Sequence, residues 1–121
     1  MSATFRLVTV NTAPERAKRL IGRVVEDVKD RYTIIHVANV ERIEEVKPTL
    51  ERERPDVLFT ASMWTPEQAK EIVLIAQELI PGIKTFSIPY GFQVEKGPDA
   101  VVEHIKENLP AILEPGRTAQ L

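Results

Sequence analysis

Residues 56–68 read Asp-Val-Leu-Phe-Thr-Ala-Ser-Met-Trp-Thr-Pro-Glu-Gln (DVLFTASMWTPEQ). The run Asp56 to Thr60 is short and apolar, as a strand buried on both faces is. A few residues later comes the clearest helix start in the chain. Thr65 stands at the N-cap, Pro66 takes the first helical position, where its missing N–H costs nothing, and Gln68 closes a capping box. Strand, polar loop and helix together make half of a βα unit.

The unit repeats along the chain. Phe5 to Val10 reads as a first strand, followed by a helix from Ala13 to Asp30 with Ala17, Leu20, Ile21, Val24 and Val28 on one face. Thr12 and Glu15 suit a capping box there. Tyr32 to Ala38 is a β-branched second strand. Asn39 is placed to cap a helix through Val40, Ile43 and Val46, with Pro48 predicting a break near Lys47. After the Thr65 start, a helix reaches about Ile80 with Ala69, Ile72, Val73, Ala76 and Leu79 inward, and Pro81-Gly82 ends it. Ile83 to Ile88 is the fourth strand. Phe92-Gln93-Val94 is a candidate short fifth. Gly97-Pro98-Asp99 opens a last helix that Pro110 is expected to interrupt.

Strands joined through helices of this length imply a parallel sheet covered on both faces. The expected fold is therefore α/β: a single three-layer, flavodoxin-like domain over residues 1–114, with 115–121 as a flexible tail. No repeat, low-complexity region or linker interrupts it.

Composition narrows the function classes. With 16 basic and 18 acidic residues, the net charge near −2 offers no strong attraction to nucleic acid or anionic membrane. Cysteine is absent, which excludes disulfides, thiolate metal sites and cysteine nucleophiles, and suits a cytoplasmic protein. MSATFRLVTV has too short an apolar run for a signal peptide, and no stretch nears the roughly 18 residues of a membrane helix.

In open parallel sheets, ligands bind beyond the carboxyl ends of the strands. Here that edge is built from Asn11, Thr12, Asn39, Ser62, Trp64 and Tyr90, an uncharged set of amides, hydroxyls and aromatics that forms the candidate ligand-binding surface. No glycine lies between the first strand and first helix, so neither a phosphate loop nor a dinucleotide fingerprint is present. His36 reads as a hydrogen-bonded sheet histidine and His104 as one on a solvated helix face, neither with a partner at metal-ligand spacing. Ser62 lacks a neighbouring base, so no catalytic residue, metal or cofactor is expected. Trp64 is read as a binding residue whose loss spares stability, against the alternative of an indole covering the core. Leu74 and Ile75 extend the apolar surface of their helix beyond one sheet contact and are the expected interface of a homodimer or protein partner.

Glu51 to Phe59 (ERERPDVLF), with the length and βα alternation of the chain, resembles the approach to the third strand in response-regulator receiver domains. The resemblance implies an aspartate that accepts phosphate at the end of that strand. This chain has Ala61 there, and Asn11 and Thr12 replace the family's acidic pair after strand one. Without those carboxylates there is no magnesium site and no phosphoacceptor, so the resemblance implies a pseudo-receiver. The leading reading is a non-catalytic regulatory or interaction module, self-associating through Leu74 and Ile75. Arg54 to Glu71 is similar also to cobalamin-binding domains, whose serine-containing loop Thr60-Ala61-Ser62 would match. That family's histidine-bearing loop after strand one is not matched by Asn11-Thr12-Ala13-Pro14. The alternative function is small-molecule binding in the strand-end crevice, and an enzyme of unrecognised chemistry stands third.

Overall fold

The computed structural model describes residues 3–114; the expected tail, 115–121, lies outside the described residues. Four parallel strands, β1 (Ala3–Val10), β2 (Tyr32–Val40), β3 (Val57–Thr60) and β4 (Lys84–Ser87), lie in the order β2-β1-β3-β4. Helices α1 (Pro14–Asp27) and α5 (Pro98–Leu113) cover one face, while α2 (Val46–Glu53) and α3 (Pro66–Leu79) cover the other.

Alternation along β1 builds both cores. Leu7 points into the α1/α5 core with Val24, Phe59 and Ile105, and Val8 and Val10 enter the α2/α3 core with Leu50, Leu58 and Ile72. Burying strands on both faces accounts for the unbroken apolar run of β3, where every residue is buried. Two ion pairs, Arg23–Asp99 at 2.9 Å and Lys106–Asp27 at 3.1 Å, link α1 to α5 on the outer surface.

A bulge shapes the edge strand β2. Leu7 pairs with His36 and Val8 with Ala38, so Val37 is the extra residue. The insertion shifts the alternation by one. Ile34 and His36 share the α1 side, and beyond the bulge Asn39 returns to that side while Val40 enters the α2/α3 core.

Five local expectations are corrected. Asn39 does not cap a helix: β2 runs through Val40, and a 3-10 turn, Ile43–Glu45, leads into α2. Pro48 lies in the first turn of α2, where its missing N–H breaks nothing, so the helix continues to Glu53. Thr12 and Glu15 form no capping box; α1 starts after Ala13, whose N–H is taken by the Asn11 side chain. Phe92-Gln93-Val94 is not a strand but the start of a short helix, α4 (Phe92–Lys96), entered through Gly91 at φ 79° and left through Gly97 at φ 89°. Those positive angles suit glycine, which has no Cβ to clash. Pro110 does not break α5, because it forfeits one bond near the helix end while the N–H of Glu114 still reaches its carbonyl.

Candidate functional site

The strand order reverses between β1 and β3, so the crevice expected of such a sheet opens between their carboxyl ends. Asn11 and Thr12 leave β1 on one side, and Ala61 to Trp64 leave β3 on the other.

On the β1 side the polar atoms are spent on one another. Asn11 is only 5% exposed; its N–H donates to the Val40 carbonyl at 2.8 Å, and its side-chain oxygen accepts from the Ala13 N–H at 2.7 Å. The Asn39 amide nitrogen donates to the Asn11 carbonyl at 3.0 Å, and its oxygen accepts from the Thr9 hydroxyl at 2.7 Å. Thr9 Oγ1 also lies 2.8 Å from His36 Nε2.

The directions of these bonds follow from counting protons. Asn39 must present its oxygen to Thr9, because its nitrogen faces the Asn11 carbonyl. Thr9 therefore gives up its single proton to Asn39, and its oxygen can only accept from His36. The proton of the neutral His36 ring is on Nε2. Burial pushes the His36 pKa below the ordinary 6.5, with a hydrogen bond to the Ala38 backbone opposing it.

On the β3 side the Thr60 hydroxyl is buried without a hydrogen-bond partner, whereas Ala61, Ser62 and Trp64 beyond it are bonded. Trp64 is 8% exposed, packs in the α2/α3 core and donates its indole N–H to the Val10 carbonyl at 2.8 Å. The same carbonyl accepts the Ala61 N–H at 3.1 Å. Beside the helix start fixed by Thr65 and Gln68, which form the capping box expected of them, the indole faces inward, as the alternative of an indole covering the core has it. Ser62 is buried, its carbonyl accepting from the Gly91 N–H at 2.9 Å and its hydroxyl from the Gln93 N–H at 3.3 Å. It holds the entry to α4 and sits beside no base.

The six expected site residues thus divide. Asn11 and Asn39 join one buried polar chain, and Ser62 and Trp64 fasten the opposite lip. Thr12 is exposed between Asn11 and α1, and Tyr90 stands 62% exposed at the rim. The sequence reading missed Thr9, whose place two residues after Leu7 puts it on the same buried face. It also placed His104 in solvent, where the structure half-buries the ring between Phe86 and Phe92, centroids 5.4 and 4.8 Å away. His36 is the bonded sheet histidine expected. On α3, Leu74 is 47% exposed, opposite the buried Ile72 and Ala76, whereas Ile75 is half-buried against the α2/α3 core.

Among the described residues no cluster of three histidine, cysteine or acidic side chains is arranged to hold a metal, and no helix is long and apolar enough to cross a membrane. The chain is similar in structure to the signal receiver domain of the response regulator NarL from Mycobacterium tuberculosis. The TM-score is 0.56 at 10% identity, over 72% of this chain and 67% of that one. No family model matches the sequence, and neither does any curated protein. At that identity the likeness concerns the fold, which is receiver-like and flavodoxin-like.

Proposed function

We propose that the chain is a non-catalytic regulatory or protein-interaction module, a pseudo-receiver that acts by association rather than by turnover. One observation carries the reading. At the switch-point edge, where the resembled family accepts a phosphoryl group, this chain presents Asn11, Thr12 and Ala61. Asn11, Asn39 and the Ala61 N–H are bonded within the protein, and the one buried side-chain polar atom without a partner among the described residues is the neutral hydroxyl of Thr60. A catalytic or ligating edge keeps several donors and acceptors available for its substrate; this one spends most of its own on holding its shape and offers no carboxylate. The alternative of a small molecule in the strand-end crevice is weakened because Trp64 and Ser62, two of the residues read as contacting it, are buried and bonded within the protein. Apolar area for a partner lies elsewhere, at Leu74 on α3 and at Tyr90 and Val94 near α4, all exposed.

Acetyl phosphate with magnesium tests the first half of the reading: the intact mass stays unchanged. A gain of one phosphoryl group on an aspartate would sink the pseudo-receiver. Sedimentation at micromolar concentration tests the second half, with a dimer expected and Leu74→Glu shifting it toward monomer. A wild type that stays monomeric at high concentration removes self-association.

A further inference from the structure

An open groove of about 610 Å³ runs between α1 and the edge strand β2 and reaches the strand-end edge at Asn39. Its size falls in the roughly 300–1,000 Å³ range of small-molecule sites. The floor is mainly apolar, with Ile34 and Val25, and the polar members His36 and Asn39 lie toward one end.

The wall formed by α1 has a notch. Lys18, Gly22 and Val25 follow one another at helical spacing on the ridge that lines the groove. Gly22 is the one glycine within a helix of the described residues, and a Cβ built on it would meet nothing within 4 Å. Its backbone angles are not the left-handed ones that call for glycine. A glycine in a helix interior weakens the helix relative to alanine, and here neither conformation nor internal packing requires one. The space beside it belongs to the groove.

Charge sets the character of the groove. β2 from Tyr32 to Val40 carries no acidic or basic side chain other than His36. On α1, Lys18 and Glu15 line the groove, and among the described residues neither belongs to an ion pair within 4 Å. Lys18 is one helical turn from the notch, whereas Glu15 is two turns away. Of the two charged side chains that line the groove, the nearer to Gly22 along α1 is therefore the Lys18 ammonium.

We propose that this groove binds an amphipathic anion with a flat apolar body, of the class of aromatic carboxylates. The ring lies in the Gly22 notch against Ile34 and Val25, and the carboxylate meets Lys18. Such a ligand also touches the polar chain, since His36 leads through Thr9 and Asn39 to Asn11 and the first amide of α1. The groove meets the strand-end edge only at Asn39 and otherwise runs along α1 and β2, so this proposal goes beyond the pseudo-receiver reading. A phosphoryl adduct in the experiment above would remove that reading and leave this one standing.

The probe is 2-naphthoate, titrated into ¹⁵N-labelled protein beside its neutral carboxamide. Saturable shifts are expected at the amides of Lys18, Gly22, Ile35 and Ala38, with the carboxylate bound more tightly than the amide. Gly22→Leu fills the notch and abolishes the shifts, and far-UV circular dichroism shows that variant to be folded. Exposed Lys18→Gln leaves the core alone, weakens naphthoate by about three- to fivefold and removes the preference over the amide. Shifts that do not saturate, shifts centred on other elements, or unchanged binding by a folded Gly22→Leu would overturn the proposal. Equal affinity for carboxylate and carboxamide would overturn its anion class.

Discussion

The indole N–H of Trp64 and the backbone N–H of Ala61 both end on the carbonyl of Val10, at 2.8 and 3.1 Å. One acceptor with two lone pairs thus joins the end of β1 to the loop that follows β3. The tryptophan at the switch point is a fastening between the two halves of the sheet.

Truncating that fastening removes a large buried ring. Trp64→Ala is expected to cost about 3–5 kcal/mol. Trp64→Phe keeps most of the apolar area, and the Val10 carbonyl retains Ala61, so its cost should be nearer 1 kcal/mol. Urea denaturation of the two variants decides the point. An alanine variant as stable as wild type would return Trp64 to the surface.

Thr9 accepts a hydrogen bond from His36 and donates one to Asn39. Thr9→Val fits the same space but leaves the Asn39 oxygen without its donor and the His36 ring without its acceptor. A loss of about 1–3 kcal/mol is expected, whereas Thr9→Ser should restore most of it. A valine variant at wild-type stability would show that the chain contributes nothing.

Acid should weaken the fold through His36. Its folded pKa lies below the ordinary 6.5 because burial disfavours the charged ring. The unfolded chain therefore binds the proton more readily, and stability rises with pH across the window between the two values. The contribution is complete above the unfolded value and is lost as pH falls through the folded one. Chemical denaturation as a function of pH, beside His36→Gln, isolates this slope. A variant with the same slope as wild type in that window would assign it to other groups.

Gly22→Ala should stabilise α1 by about 1 kcal/mol, since the helix gains propensity and the new methyl meets open space. Thermal unfolding reads the gain, and a lower midpoint would mean that the groove wall is already filled.

Arg54 closes α2 in the left-handed conformation at φ 47°, its N–H reaching the Leu50 carbonyl at 2.9 Å. A side chain there is strained by about 1–2 kcal/mol, and glycine relieves it while costing some entropy in the unfolded chain. Arg54→Gly should therefore gain roughly 0.5–1 kcal/mol. A loss would mean that the arginine side chain makes up for its backbone strain.

Periodicity determined the long helices and the four strands, though not α4 or the end of β2, because the spacing that buries one face of α1 or both faces of β3 is written in consecutive residues. The capping box at Thr65 and Gln68 was equally local, needing partners only three positions apart. The candidate site was not local. Asn39 reaches Thr9 only because one extra residue, Val37, shifts the alternation of β2, and nothing within YTIIHVANV says which residue a neighbouring strand will leave unpaired. Trp64 turned inward because the Val10 carbonyl, 54 residues away, stood ready to accept its N–H. His104 is held between two rings from β4 and α4 that no helical wheel of α5 contains. Apolar spacing acts along the chain, whereas the hydrogen-bond partners of buried polar groups and the faces of aromatic rings are supplied across it, and only the tertiary structure decides them.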